Sequence, residues 1–181
     1  MKSTFAASAL LSFFALASAA PTPNGQGMQM GPPRRSSSGS TVIYPMMTST
    51  YKTWSGDTTD GTTFGLVQCE SGRSSPIATY MTFDIPPETA SKRCQFNFRL
   101  SNSATVTGTG QAEVFTWLDS LNYKDGTWAG HIQAATGAVV SLAPIDCPAG
   151  HKYTVRLAQT AEDDLIKWDV YTEGPEIVVI S

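Results

Sequence analysis

From Thr41 onward, short runs rich in Val, Ile, Thr, Tyr and Phe recur about every 10 to 15 residues, separated by Gly, Pro, Asn and Asp. None lasts long enough to make a convincing helix. The periodicity that does appear is two. Ile77, Thr79, Met81, Phe83 and Ile85 fall on one face of a strand, which ends at Pro86-Pro87 because proline has no N–H to donate to a ladder. Cys94, Phe96, Phe98 and Leu100 alternate against Arg93, Gln95, Asn97 and Arg99, the pattern of a strand with one buried side. Residues 111–118, 137–142, 152–158, 165–171 and 176–180 continue the series. Seven or eight strands predict an all-β chain folded as an antiparallel β-sandwich. Only residues 87–93 have weak helical character, enough for a single turn. Residues 103–110 read as a hairpin connection and 161–164 as a solvated acidic turn.

The N-terminus belongs to a different class of segment. Lys2, the apolar run from Phe5 to Ala17 and the small-residue site Ala17-Ser18-Ala19 have the layout of a secretory signal peptide, with cleavage expected after Ala19. Residues 20–41 are rich in Pro, Gly, Gln, Met and Ser without apolar periodicity, and are expected to be a disordered segment and a candidate propeptide. Within it Arg34-Arg35 forms a dibasic site at which a protease could cut after Arg35. The folded domain is expected over 42–181. Ser and Thr in the linker could carry O-linked sugar, whereas the chain has no Asn-x-Ser/Thr sequon. Neither a spanning helix nor a lipid-anchor signal is expected.

Charge narrows the range of partners. The net charge of −3 becomes −6 once Lys2, Arg34 and Arg35 are removed, since Lys plus Arg falls from 12 to 9 against 15 acids. An acidic domain is a poor polyanion binder, so nucleic acid and anionic membrane are not expected partners. A protein or a neutral cell-wall glycan remains.

Three cysteines in an exported chain allow one intramolecular bridge. Cys94 begins a strand and Cys147 precedes Pro148-Ala149-Gly150, so a staple between sheets from Cys94 to Cys147 is favoured. The competing pairs are Cys69 with Cys94 and Cys69 with Cys147. Closing a loop of about 54 residues is worth roughly 4 kcal/mol on a chain-entropy account.

Four segments in order suggest a family: Thr82-Phe83-Asp84-Ile85-Pro86, Lys92-Arg93-Cys94-Gln95-Phe96-Asn97-Phe98, Gly108-Thr109-Gly110-Gln111-Ala112-Glu113-Val114-Phe115 and Asp146-Cys147-Pro148-Ala149-Gly150. Together they resemble the C-terminal domain of the fungal ubiquitin-activating-enzyme-binding protein But-two, over about residues 42 to 181. The ending Ile166-Lys167-Trp168-Asp169-Val170-Tyr171 and Gly174-Pro175-Glu176-Ile177-Val178-Val179 is similar to the aromatic strand, turn and last strand of that family. The resemblance implies a β-sandwich, a fungal source and pairing of Cys94 with Cys147. It does not place Cys69. The intracellular partner recorded in the family's name is not carried over to an exported chain.

The richest candidate site is the stretch from Trp117 to His131, expected to be a long connection between strands. It gathers Trp117, Asp119, Tyr123, Asp125 and Trp128. Exposed Trp and Tyr offer flat apolar faces for sugar rings or partner aromatics, and Asp can fix hydroxyl groups. The alternative is that Trp117 and Trp128 fill the core and cap its end, leaving Tyr123 and Lys124 in water. Asp119 and Asp125 could also serve as the acid and base of a glycoside hydrolase.

No metal or other cofactor is expected. His131 and His151 lack metal-ligand spacing and read as ordinary surface histidines. The chain has no Gly-x-Ser-x-Gly elbow, phosphate loop or dinucleotide fingerprint, and a lone Cys69 is a poor nucleophile to keep in an oxidising compartment. The expectation is a secreted, non-catalytic interaction protein, either a host-directed effector serving virulence or a cell-surface binding module. A structural cell-wall protein and a glycan hydrolase are the alternatives.

Overall fold

The computed structural model describes residues 40–69, 76–120, 126–160 and 163–180. The leader with Ala19, the Arg34-Arg35 pair, and Tyr123 and Asp125 of the aromatic stretch lie outside the described residues.

Two antiparallel sheets carry the fold, as an all-β sandwich requires. The five-stranded sheet runs in the order β1 (Thr41–Ile43), β14 (Gly174–Ile180), β6 (Arg93–Arg99), β10 (Val139–Ser141), with β11 (Ile145–Asp146) also against β6. The nine-stranded sheet runs β7 (Thr105–Thr107), β13 (Leu165–Asp169), β4 (Phe64–Gln68), β5 (Ile77–Asp84), β12 (Lys152–Gln159), β8 (Gln111–Leu118), β9 (Thr127–Gln133). In addition β2 (Met47–Lys52) lies on β5, and β3 (Thr58–Asp60) lies on β2. A 3-10 turn at Pro87–Thr89 is the single turn expected after β5.

Among the described residues there are fourteen strands, more than the seven or eight expected. Several of the extra ones, β1, β3, β7 and β11, are only two or three residues long, too short to show a period, while β10 falls within the strand expected over 137–142. β7 lies within what reads as a plain hairpin connection and pairs with β13 through Val106 and Ile166.

The core forms where the period-two faces meet. Phe96, Phe98, Leu100, Ile177 and Val179 of one sheet pack against Met81, Phe83, Val114, Val155, Leu157 and Trp168 of the other. Burial of each large side chain is worth about 1.5–3 kcal/mol. Trp168 stands edge-on to Phe98 at 5.0 Å. Gly65 makes room for its indole, since a Cβ there would sit 2.0 Å from the ring.

The bridge is Cys94–Cys147, with Cys69 free. It does not join the two sheets. Cys94 is on β6, opposite Ile145 of β11, and the Cys147 N–H donates to the Lys92 carbonyl at 3.0 Å. The staple therefore works within the five-stranded sheet, fastening a two-residue strand that has few hydrogen bonds of its own.

The acidic turn is also not wholly solvated. Asp164 is fully buried and accepts the Thr109 N–H at 2.5 Å and the Thr109 hydroxyl at 2.7 Å, while its carbonyl accepts the Cys69 N–H at 3.0 Å. The carboxylate turns inward because it satisfies the loop before β8, where Gly108 at φ 72° leaves no room for a side chain.

Two outcomes follow for stability in denaturant. Cys147→Ser should lower the unfolding free energy by about 4 kcal/mol, and Cys69→Ser should change it little. Asp164→Ala should cost about 1–3 kcal/mol, because two donors of Thr109 lose their acceptor.

Candidate functional site

Alternation assigns every second residue of the large sheet to the side away from the core. On β5 these are Ala78, Tyr80 and Thr82, on β12 Thr154, Arg156 and Ala158, and on β8 Glu113, Phe115 and Trp117. A sandwich usually presents polar residues there. Here Ala78, Tyr80 and Trp117 are buried in a second apolar cluster, flanked by Tyr51, Phe115 and Ala158.

The strand registers align a row across five strands: Ser49 opposite Tyr80, Tyr80 opposite Arg156, Arg156 opposite Phe115, and Phe115 opposite Trp128. At a strand spacing of about 4.8 Å the row spans roughly 19 Å. Tyr80 packs against Trp117 at 5.6 Å and edge-on to Tyr51 at 5.8 Å. The Arg156 guanidinium lies over the Phe115 ring at 4.1 Å and 5.7 Å from the Trp117 centroid. Its Nε–H and the Trp117 indole N–H are buried without a hydrogen-bond partner.

One extra residue places Trp128 in this row. Ile132 pairs with Ala112 and Gly130 with Val114, both on the core side, so an unbroken ladder would direct Trp128 inward as well. The register shifts between Val114 and Phe115, leaving Ala129 unpaired and setting Trp128 opposite Phe115 on the outer face. Gly130 takes the φ of 139° that the bulge requires. Trp128 is 54% exposed and meets His131 edge-on at 5.5 Å.

The two tryptophans thus separate. Trp117 is buried, on the outer cluster rather than between the sheets, and Trp128 is in solvent. Residues 117–131 are not a long connection: β8 continues through Leu118 and β9 begins at Thr127, so the stretch is a hairpin. Gly126 lets its backbone lie on the Trp117 indole, where a Cβ would come within 2.3 Å.

At the end of β8, Asp119 adopts φ 53° and is anchored to β12. Its N–H donates to the Lys152 carbonyl and its Oδ1 accepts the Lys152 N–H, both at 2.9 Å, while His151 Nδ1 lies 2.5 Å from Oδ2. The His151 hydrogen bond, then that from the Lys152 backbone, holds the carboxyl below its ordinary value of 3.8. His151 is therefore the partner of Asp119 and not an isolated surface histidine. A carboxylate kept ionised, with both oxygens occupied, is poorly set up to act as a general acid.

Elsewhere, a small apolar crevice opens between the sheets beside the disulfide, lined by Ile85, Phe96, Ala129, Leu142 and Tyr153 among others. Burial pushes the Tyr153 hydroxyl above the ordinary phenol value, and a hydrogen bond from Thr116 partly opposes this. Among the described residues, no group of three or more His, Cys, Asp or Glu is placed to hold a metal ion. The aromatic row itself was missed in the sequence. Its signal was there in β5, where Ala78 and Tyr80 make the strand apolar on both faces.

The Asp119 anchor has a pH signature. A carboxyl held below its unfolded value stabilises the fold above that value, and the contribution disappears as pH falls through the folded value. Wild type should melt above Asp119→Asn at neutral pH, and the two melting temperatures should converge on acidification below the ordinary carboxylate range.

A family model described as "Ubiquitin 3 binding protein But2 C-terminal domain" matches residues 41–169, well over half of the chain. A solved structure described as "Carbohydrate-Binding Module CBM36 in complex with calcium and xylotriose" is 17% identical, with 66% of this chain and 90% of that one covered and a TM-score of 0.33. At that score the likeness does not bear on a ligand. No curated protein matches the chain.

Proposed function

The chain belongs to the But2 C-terminal domain family, and from that premise we propose that it is a secreted, non-catalytic binding module that engages a protein partner through the outer face of its large sheet. One observation carries the proposal: Trp128 stands in solvent at the end of a row containing Arg156, Phe115 and Tyr80. Exposed aromatics beside arginine are the residue types that dominate protein interfaces, because they bury large area at low entropic cost. Packing of Phe115 against the Tyr80–Trp117 cluster leaves little of the row to reorganise on binding. The name of the family model, which records a protein-binding relative, points the same way.

Secretion rests on the leader ending at Ala19 and agrees with the presence of a disulfide. It places the partner outside the cell, in the wall or on a host, and this is the sense in which an effector role is proposed. A neutral glycan is the second reading, favoured specifically by the open Trp128 ring, against which a sugar could stack.

The test is affinity capture from wall extract and from host extracellular fluid, with wild type and Trp128→Ala side by side. A partner recovered by wild type should fall by about tenfold with the variant, the effect of losing a modest hot spot. Equal recovery of the same partner by both proteins removes this face from the function. A hydrolase would instead release reducing sugar from wall glycans and lose that release in Asp119→Asn.

A further inference from the structure

We infer that Arg156 is the anchor for a single carboxylate side chain of the protein partner, presented between apolar residues; this rests on the outer-face reading above and specifies its chemistry. Arg156 is half-buried at the centre of the face, its guanidinium stacked on Phe115 and close to Trp117, with a buried, unpartnered Nε–H. No carboxylate among the described residues forms an ion pair with it. Glu113, its diagonal neighbour across β8 and β12, does not come within ion-pair distance. An arginine flattened against rings has already lost much of its hydration and conformational freedom. The remaining edge of its planar fork suits a carboxylate, with little further ordering to do.

The surroundings select the kind of acid. Tyr80, Phe115, Trp117 and Thr154 around Arg156 are uncharged, and Trp128 extends the apolar row. A polyuronic glycan, with a carboxylate on every ring, would require a line of cations and would meet a protein of net charge −3. One cation within an aromatic frame complements one acidic side chain flanked by apolar ones, which a folded or extended polypeptide supplies.

The probe is a blocked pentapeptide, acetyl-Gly-Leu-Glu-Phe-Gly-amide, titrated into the full chain and followed by the Arg156 Nε–H and Trp128 indole N–H resonances. Both should move together and saturably. The Gln counterpart should bind about tenfold more weakly, as expected for loss of one charge-assisted hydrogen bond. Arg156→Gln should erase the preference for Glu. The wild-type comparison of the two peptides stands even if that variant fails to fold. Equal binding of the two peptides, no response at these resonances, or tighter binding of trigalacturonate at the same resonances would each overturn the inference. If the peptides bind alike while Trp128→Ala still abolishes partner capture, the acidic anchor fails and the binding face stands. If capture is also indifferent to Trp128→Ala, the face itself is wrong.

Discussion

The strand β5 is buried on both sides, and the arrangement of the molecule depends on this. Met81 and Phe83 point into the sandwich, while Ala78 and Tyr80 on the reverse side are covered by Trp117 and its neighbours. A strand with two apolar faces cannot sit at the surface of an ordinary two-layer fold, where one side must be wet. The chain meets the constraint with a second, smaller apolar cluster on the outside of the large sheet. That cluster supports Phe115 and Arg156, so the candidate site grows out of a folding requirement.

How far the sequence could be taken depended on local pattern. Residues with clean alternation, Cys94 to Leu100 above all, declared both strand and buried face. The bridge from Cys94 to Cys147 followed from element ends and from a family resemblance that the family comparison bears out over residues 41–169. Apart from β10, which lies within the expected strand 137–142, strands of two or three residues were not legible, because so short a run contains no period. Nor was the pairing of β8 with β9: the Gly-Thr-Trp-Ala-Gly run of residues 126–130 looks like a loop, and its strand character comes from the ladder it forms with Phe115 and Thr116.

The site shows a similar division. Trp128 and Asp119 were visible as candidates, but the stretch that holds them is a hairpin, and its two tryptophans have opposite surroundings. Arg156 was not visible at all. It is a single basic residue in a strand, and its significance arises from cross-strand neighbours more than 35 positions away, Phe115 and Trp117. Asp164 failed in the opposite sense. Three successive acids look like a solvated turn, yet the last of them is pulled inward by the unpaired donors of Thr109.

The unpaired Ala129 has an implication for how such a surface can change over time. Because side-chain direction along a strand has a parity of two, whether Ala129 is bulged or paired decides which compartment the Trp128 indole occupies. Pairing Ala129 regularly with Phe115 would carry Trp128 from the exterior to the interior, whereas deleting Ala129 would leave Trp128 beside Gly130 and still opposite Phe115 on the exterior. Within this architecture, the exposure of that indole depends on how the hairpin is paired as well as on which residues it contains.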